Sequence, residues 1–242
     1  MIATTAAALL PQHWAEMQAS GITFEVAAAN VRSFGPGAVD HWESARAELI
    51  RHKRLAIQTE SITTTGSALP QSQPWMLAGQ LIRLQQRYAH LAHGGWWSDG
   101  EALPGFEGFN CWKPSQPRLS GDQRRDKRTG RLVRVTPAPI KYETQPAHPH
   151  GGGVFAPRVP LAQWELICRR AGVPLPSPEV QAAGFWAWLV TLPTVPVIAA
   201  EGLKKALAAI SAGHAALAVA GVDMGYRRDP DSSQLQLIPE LE

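Results

Sequence analysis

The chain has little of what would fix its class at a glance. Its 242 residues hold two cysteines, Cys111 and Cys168, far apart and in no CxxC pair, so neither a disulfide framework nor a zinc ribbon is indicated. No apolar run approaches the roughly 20 residues a membrane helix needs, so no membrane partner is expected. The amino-terminal ATTAAALL is short, lacks a basic leader and runs into Pro11. It does not read as a signal peptide, and a cytoplasmic location is the default. No GxSxG, Walker A or GxGxxG stands in a strand–turn–helix context, which leaves hydrolase, ATPase and dinucleotide readings without support. Charged residues are only 18% of the chain, but 45% are hydrophobic, which fits a folded protein rather than a disordered one.

What is present is unevenly placed. Twenty prolines and 21 glycines point to many connections, and nine tryptophans must be buried or used on a binding surface. The formal charge is +3, yet eight Lys or Arg against two Asp lie between Lys113 and Arg134. That segment exceeds the net charge of the whole chain, and the rest is slightly acidic.

Three regions follow. Residues 1–95 read as mostly helical. Leu10, Trp14 and Met17 share a helix face that Gly21 stops, and Thr23 can cap a second helix through Ala29. A helical hairpin and a helix-turn-helix DNA reader both fit that pair. A further helix is expected over Trp42 to Arg54, and another through Met76, Leu81, Leu84, Tyr88 and Leu91, with a strand across Leu81 to Leu84 as the alternative. Residues 96–158 read as loop-rich and basic, with a mobile hairpin or linker at the centre and one short strand around Leu132, Val133 and Val135. Residues 159–242 read as α/β, giving a mixed α/β chain overall. Leu161, Trp164, Cys168 and Ala171 mark a helix stopped by Gly172, and Ser177-Pro178 opens one carrying Phe185, Trp186 and Trp188. Val195 to Ala200 suits a buried parallel strand, Leu203, Ala206, Leu207 and Ile210 one helix face, and Ala215 to Val219 a second buried strand. Together these make a βαβ unit.

In an open parallel sheet, ligands bind outside the carboxyl ends of the strands, and Glu201 occupies that position. Gly202 lets a ligand approach the backbone. A carboxylate at a helix N-terminus is also favourable by up to about 1 kcal/mol, with no ligand involved. Position alone does not separate these readings.

An apolar strand ending in EG, then KKA, an alanine-rich helix, SAG and a second strand resembles the first half of a Toprim-type domain. More closely, the chain resembles cyanobacterial plasmid replication proteins of the RepA-like type. SGI, NVRS, GGWW, FNCWKPSQPR, IKYE and FWAWL occur in order upstream, and AGVDMGYR and LIPELE downstream. The resemblance implies a DNA-binding replication protein whose parent activity is primase-like nucleotidyl transfer, with Glu201 as the catalytic acid. In such domains that glutamate acts with a DxD pair to hold Mg²⁺, which suits a hard cation. The chain ends just after LIPELE, where the third strand and its DxD would begin. A truncated or split member, catalytically incomplete and weak for Mg²⁺, is therefore expected. Asp229-Pro-Asp231 is the available substitute, and it reads equally as turn chemistry.

For nucleic acid, single- or double-stranded, the expected contacts are Lys113, Arg118, Arg124, Arg125, Lys127, Arg128, Arg131 and Arg134. Lys141, Lys204 and Lys205 could reach phosphate as well. A solvated loop and helix face would look the same. Trp96, Trp97 and Trp112 either stack on bases or fill the core. His148 and His150 form an HxH pair without a nearby third zinc ligand. Two rival readings stand beside the first. One is an active Mg²⁺ enzyme using Glu201, Asp229 and Asp231, with nucleotides as substrates. The other is an interaction module for a full-length replication protein, docking through an uncovered sheet edge.

Overall fold

The computed structural model describes residues 9–38, 79, 82–83, 86–106, 108–126, 128–144, 153–219, 221, 225–228, 234–238 and 241. The helix expected over Trp42 to Arg54 and much of the Met76 to Leu91 pattern lie outside them. Helix α1, Pro11–Gln18, starts with proline in its first turn, where the missing N–H costs nothing, and buries His13 and Met17. Helix α2, Phe24–Asn30, follows a tight corner and buries Val26, Ala27 and Asn30. Thr23 sits at the cap position, but its hydroxyl makes no cap bond. Instead its amide donates to Ser211 Oγ at 3.0 Å, which ties this corner to a helix far along the chain.

The middle of the chain is more regular than its turn-rich text suggests. Strands β1 (Arg32–Phe34), β2 (Gly95–Asp99), β3 (Asn110–Pro114) and β6 (Glu143–Thr144) form an antiparallel sheet in the order β1-β2-β3-β6. The reason is cross-strand aromatic pairing, a main source of sheet stability. Trp97 lies opposite Trp112 in the register, their rings stacked with centroids 5.0 Å apart, and Phe34 meets Trp112 edge-on at 5.3 Å. The flanking glycine, read as turn chemistry, is there for close approach. A Cβ on Gly95 (φ 154°) would lie 2.3 Å from the Lys113 carbonyl oxygen. Between β3 and β6, β4 (Gln123–Arg125) and β5 (Leu132–Arg134) pair with each other and with no other strand among the described residues.

A second, mixed sheet has the order β7-β9-β8, from Val154–Phe155, Ala215–Val219 and Val197–Glu201 respectively. β8 runs parallel to β9 and β7 antiparallel to it. Helix α6, Leu203–Ser211, connects β8 to β9 and buries the expected face of Leu203, Ala206, Leu207 and Ile210. β9 is buried throughout, as a central strand should be. β8 is not, contrary to the apolar reading of its sequence. Among the described residues it has a neighbour on one side only, and Val197 and Ile198 are 44% and 42% exposed.

Helices α3 (Leu161–Ala171), α4 (Pro178–Gln181) and α5 (Phe185–Leu189) precede β8, and a 3-10 turn spans Ala89–His93. The sequence suggests one helix from Pro178 through Trp188. Gly184, at φ 96°, breaks it in two and turns Phe185, Trp186 and Trp188 into the core. β10 (Tyr226–Arg228) and β11 (Leu235–Leu237) form a separate hairpin. No helix among the described residues is long and apolar enough to cross a membrane.

The residues of β9 alternate between two cores, as the two-residue period of a strand requires. Ala216 and Ala218 join Met17, Val26, Trp96, Leu207 and Ile210 on one face. Ala215, Leu217 and Val219 join Trp164, Phe185 and Trp188 on the other. The amino-terminal helices and the βαβ unit therefore share one core. Asn30 adds a polar staple, bonding the Arg158 backbone through both side-chain ends at 2.7 and 2.8 Å. Leu207→Ala opens a cavity in the shared core and should lower stability by about 2–5 kcal/mol, as read from urea unfolding.

Candidate functional site

Glu201 is the last residue of β8, opposite Val219 of β9. Its side chain is 51% exposed, and Lys205 Nζ lies 3.5 Å from Oε2. Gly202 follows at φ 89° with open space where a side chain would stand, a backbone conformation that favours glycine. Its amide donates to the Val219 carbonyl at 3.0 Å, locking the strand end to its neighbour. Beside it lies a cavity of about 250 Å³, with Phe109, Cys111, Tyr142 and Phe155 on its apolar side and Glu201, Lys204 and Lys205 among its polar lining. Burial pushes the Cys111 thiol up to about 12, so it is no nucleophile at neutral pH. Burial, then the charges of Glu16 and Cys111, raises the Tyr142 phenol to about 12, leaving a hydroxyl donor.

This arrangement offers one carboxylate oxygen pair and two ammonium groups at the carboxyl end of a parallel strand. Of the two lysines the exposed Lys205 can meet a phosphate, and the carboxylate can hold a hard cation or accept a proton. Among the described residues, no group of three or more His, Cys, Asp or Glu could hold a metal ion. Asp229, Asp231, His148 and His150 lie outside the described residues. Glu201 alone, among the described residues, does not supply the set of hard oxygen donors that Mg²⁺ takes.

The dominant electrostatic feature was not legible beforehand. Glu16 of α1 accepts from Lys113 Nζ at 2.6 Å and Lys204 Nζ at 2.9 Å on Oε1, and from Trp96 Nε1 at 3.1 Å on Oε2. One carboxylate thus joins α1, β2, β3 and α6. Burial works to raise its pKa, but bonds from Lys113, Lys204 and Trp96 outweigh burial and hold it at about 2. The helical pattern marks only the apolar face of α1, and no spacing connects position 16 to 113 and 204.

A second carboxylate, Glu143, is buried in the antiparallel sheet. Arg118 grips it with two bonds, Nε at 2.6 Å and Nη2 at 3.0 Å, and His90 Nε2 lies 3.4 Å away. Burial again opposes ionisation, and the His90 and Arg118 contacts reverse it, leaving the pKa lowered. Lys113 and Arg118, expected to face nucleic acid, are thereby turned inward onto acids of the core. Lys204 is engaged in the same way, whereas Lys205 is 68% exposed.

The other basic residues sit on an arm. From the Ile140 amide on the Arg118 carbonyl (2.8 Å), through Ser120 on Ala138 (2.8 Å) and β4 on β5, to Asp126 on Arg131 (2.8 Å), the chain doubles back on itself. From Arg118 to Asp126 the shorter side makes eight residue steps, so the arm is at most about 26 Å long at about 3.3 Å per residue. Asp126 closes the tip, its Oδ1 accepting from the Arg128 and Thr129 amides at 3.1 and 2.7 Å. Arg128, Arg131 and Arg134 are exposed, and Lys141 is exposed at the base. Arg124 and Arg125 lie in β4, and Lys127 lies outside the described residues. Trp96 and Trp112 are 1% exposed and belong to the core, which removes them as stacking platforms. Trp97 is half-buried between Trp112 and Arg32, whose guanidinium carbon lies 5.2 Å from the ring centroid.

Because Glu16 ionises more easily folded (about 2) than in its ordinary range (4.5), its contribution is fully present above pH 4.5 and fades as pH falls towards 2. Glu16→Gln should cost about 1–2 kcal/mol at pH 7, allowing for solvent screening. The gap from the unmodified chain should close between about pH 5 and pH 2 in urea-unfolding series at stepped pH.

Comparison with known proteins places part of this architecture. The profile of a domain of unknown function, DUF3854, matches residues 185–242, from α5 through β11. An uncharacterized protein of Picosynechococcus sp. strain PCC 7002 is 34% identical over 165 residues, covering 65% of this chain. The chain spans 15% of that relative's length. No solved structure matches the chain.

Proposed function

We propose that the chain is a DNA-binding protein of the plasmid-replication type, built on a Toprim-like βαβ unit and contacting DNA through its basic arm. The observation that carries this reading is the arm itself. It projects Arg128, Arg131 and Arg134 to solvent, while the neighbouring Lys113 and Arg118 neutralise core acids. Cations that stabilise the fold are thus separated from cations left to release counterions from phosphate. The Toprim-like part of the reading is supported by β8 running parallel to β9 with α6 between them, and by Glu201 and Gly202 at the strand's carboxyl end.

Glu201 is the residue proposed for primase-like chemistry, holding Mg²⁺ or taking a proton during nucleotidyl transfer, with Lys205 near the incoming phosphate. That activity belongs to the parent architecture. This chain is proposed to be catalytically incomplete: Glu201 belongs to no group of three or more His, Cys, Asp or Glu that could hold a metal ion among the described residues. A second reading, an interaction module for other replication proteins, draws on the exposed β8 edge at Val197 and Ile198. A cytoplasmic setting and possible use of nucleotides go with the replication reading.

In mobility-shift titrations at low and moderate salt, the chain should retard DNA and weaken steeply as salt rises. The triple variant R128A/R131A/R134A should bind more weakly and flatten the salt slope by about one per arginine removed. No shift at low salt would remove the DNA-binding reading.

A further inference from the structure

The shape and composition of the arm select among nucleic acids. We infer that the arm is a duplex-DNA reader that lies in the major groove, and that single strands are a minor partner; this rests on the DNA-binding reading above. Three observations carry it.

The first is geometry. The arm is two strands wide, with β4 paired to β5 and to nothing else among the described residues. The major groove of B-DNA, about 12 Å wide and about 8.5 Å deep, admits such a two-stranded ribbon. At up to about 26 Å the arm is long enough to run along it.

The second is what the arm lacks. Residues 118–140 contain no Phe, Tyr or Trp. Proteins that hold single strands do so by stacking bases on aromatic rings along a basic groove. Trp96 and Trp112 are spent in the core, and Tyr142 at the base, 38% exposed, lines the cavity and packs edge-on against Trp96 at 6.0 Å.

The third is what the arm displays. Leu132 and Val133 are adjacent on β5, so they point to opposite faces, and they are 64% and 37% exposed. Leu119 near the base is 61% exposed. Apolar side chains beside arginines suit the groove floor, where thymine presents a methyl group and guanine two acceptors. The guanidinium groups of Arg128, Arg131 and Arg134 form no ion pair among the described residues.

The test is fluorescence anisotropy of the full chain against duplex DNA, one of its single strands, and duplex RNA of matching sequence, all at low salt. Duplex RNA is the decisive comparison, since its major groove is too deep and narrow for a ribbon to enter. Duplex DNA should bind at least about tenfold tighter than either of the others. Replacing residues 121–136 by a short Gly-Ser turn should erase that preference while leaving Arg118 on Glu143. R131A/R134A, which leaves the hairpin backbone intact, should reduce the preference in the same direction. Equal or tighter binding of the single strand or duplex RNA, or a preference that survives both variants, overturns the inference while leaving DNA binding in place. Binding to none of the probes overturns the DNA-binding reading itself.

Discussion

A single carboxylate, Glu16, is the junction on which the arrangement depends. Its two oxygens collect Lys113, Lys204 and the Trp96 indole, one partner each from β3, α6 and β2. Two ammonium groups pointed at a partly buried spot would repel each other without it. With it, the amino-terminal helix, the antiparallel sheet and the βαβ unit are held at fixed positions around the Glu201 cavity. Lys204 illustrates the division of labour. Next to the exposed Lys205, it faces the core acid rather than solvent.

The second constraint is the central strand β9. Its alternate residues serve two cores, so neither face can be re-registered without emptying both. That fixed strand sets the position of β8 through five paired residues, from Val197 opposite Ala215 to Glu201 opposite Val219. Glu201 is therefore delivered to solvent by packing that lies well away from it. β8 remains an edge, with the apolar Val197 and Ile198 on it.

The parts of this fold legible in the sequence were those with strong local periodicity. Leu203, Ala206, Leu207 and Ile210 read correctly as one buried helix face, and Ala215 to Val219 as a buried strand, because burial repeats at the helix and strand periods. The exposure of β8 was not legible, since Val197 to Ala200 has the same apolar text whether or not a neighbour covers it. The antiparallel sheet was hidden by its glycines, which read as turns although Gly95 serves close strand approach. Long-range ion pairs escaped altogether. Lys113 and Arg118 carry the same letters as the arm arginines, and only their partners Glu16 and Glu143 distinguish them. The arm itself was foreshadowed by its charge excess and by Leu132 and Val133.

The proposed DNA contact rests on this separation of cations into those that pair with partly buried acids and those that project from the fold. The most direct measurement is a double-mutant cycle on Glu16→Gln and Lys204→Met, read by urea unfolding at neutral pH. A junction that ties α1 to α6 predicts a coupling of about 0.5–2 kcal/mol between the two sites. Additive single effects, within about 0.3 kcal/mol, would contradict it.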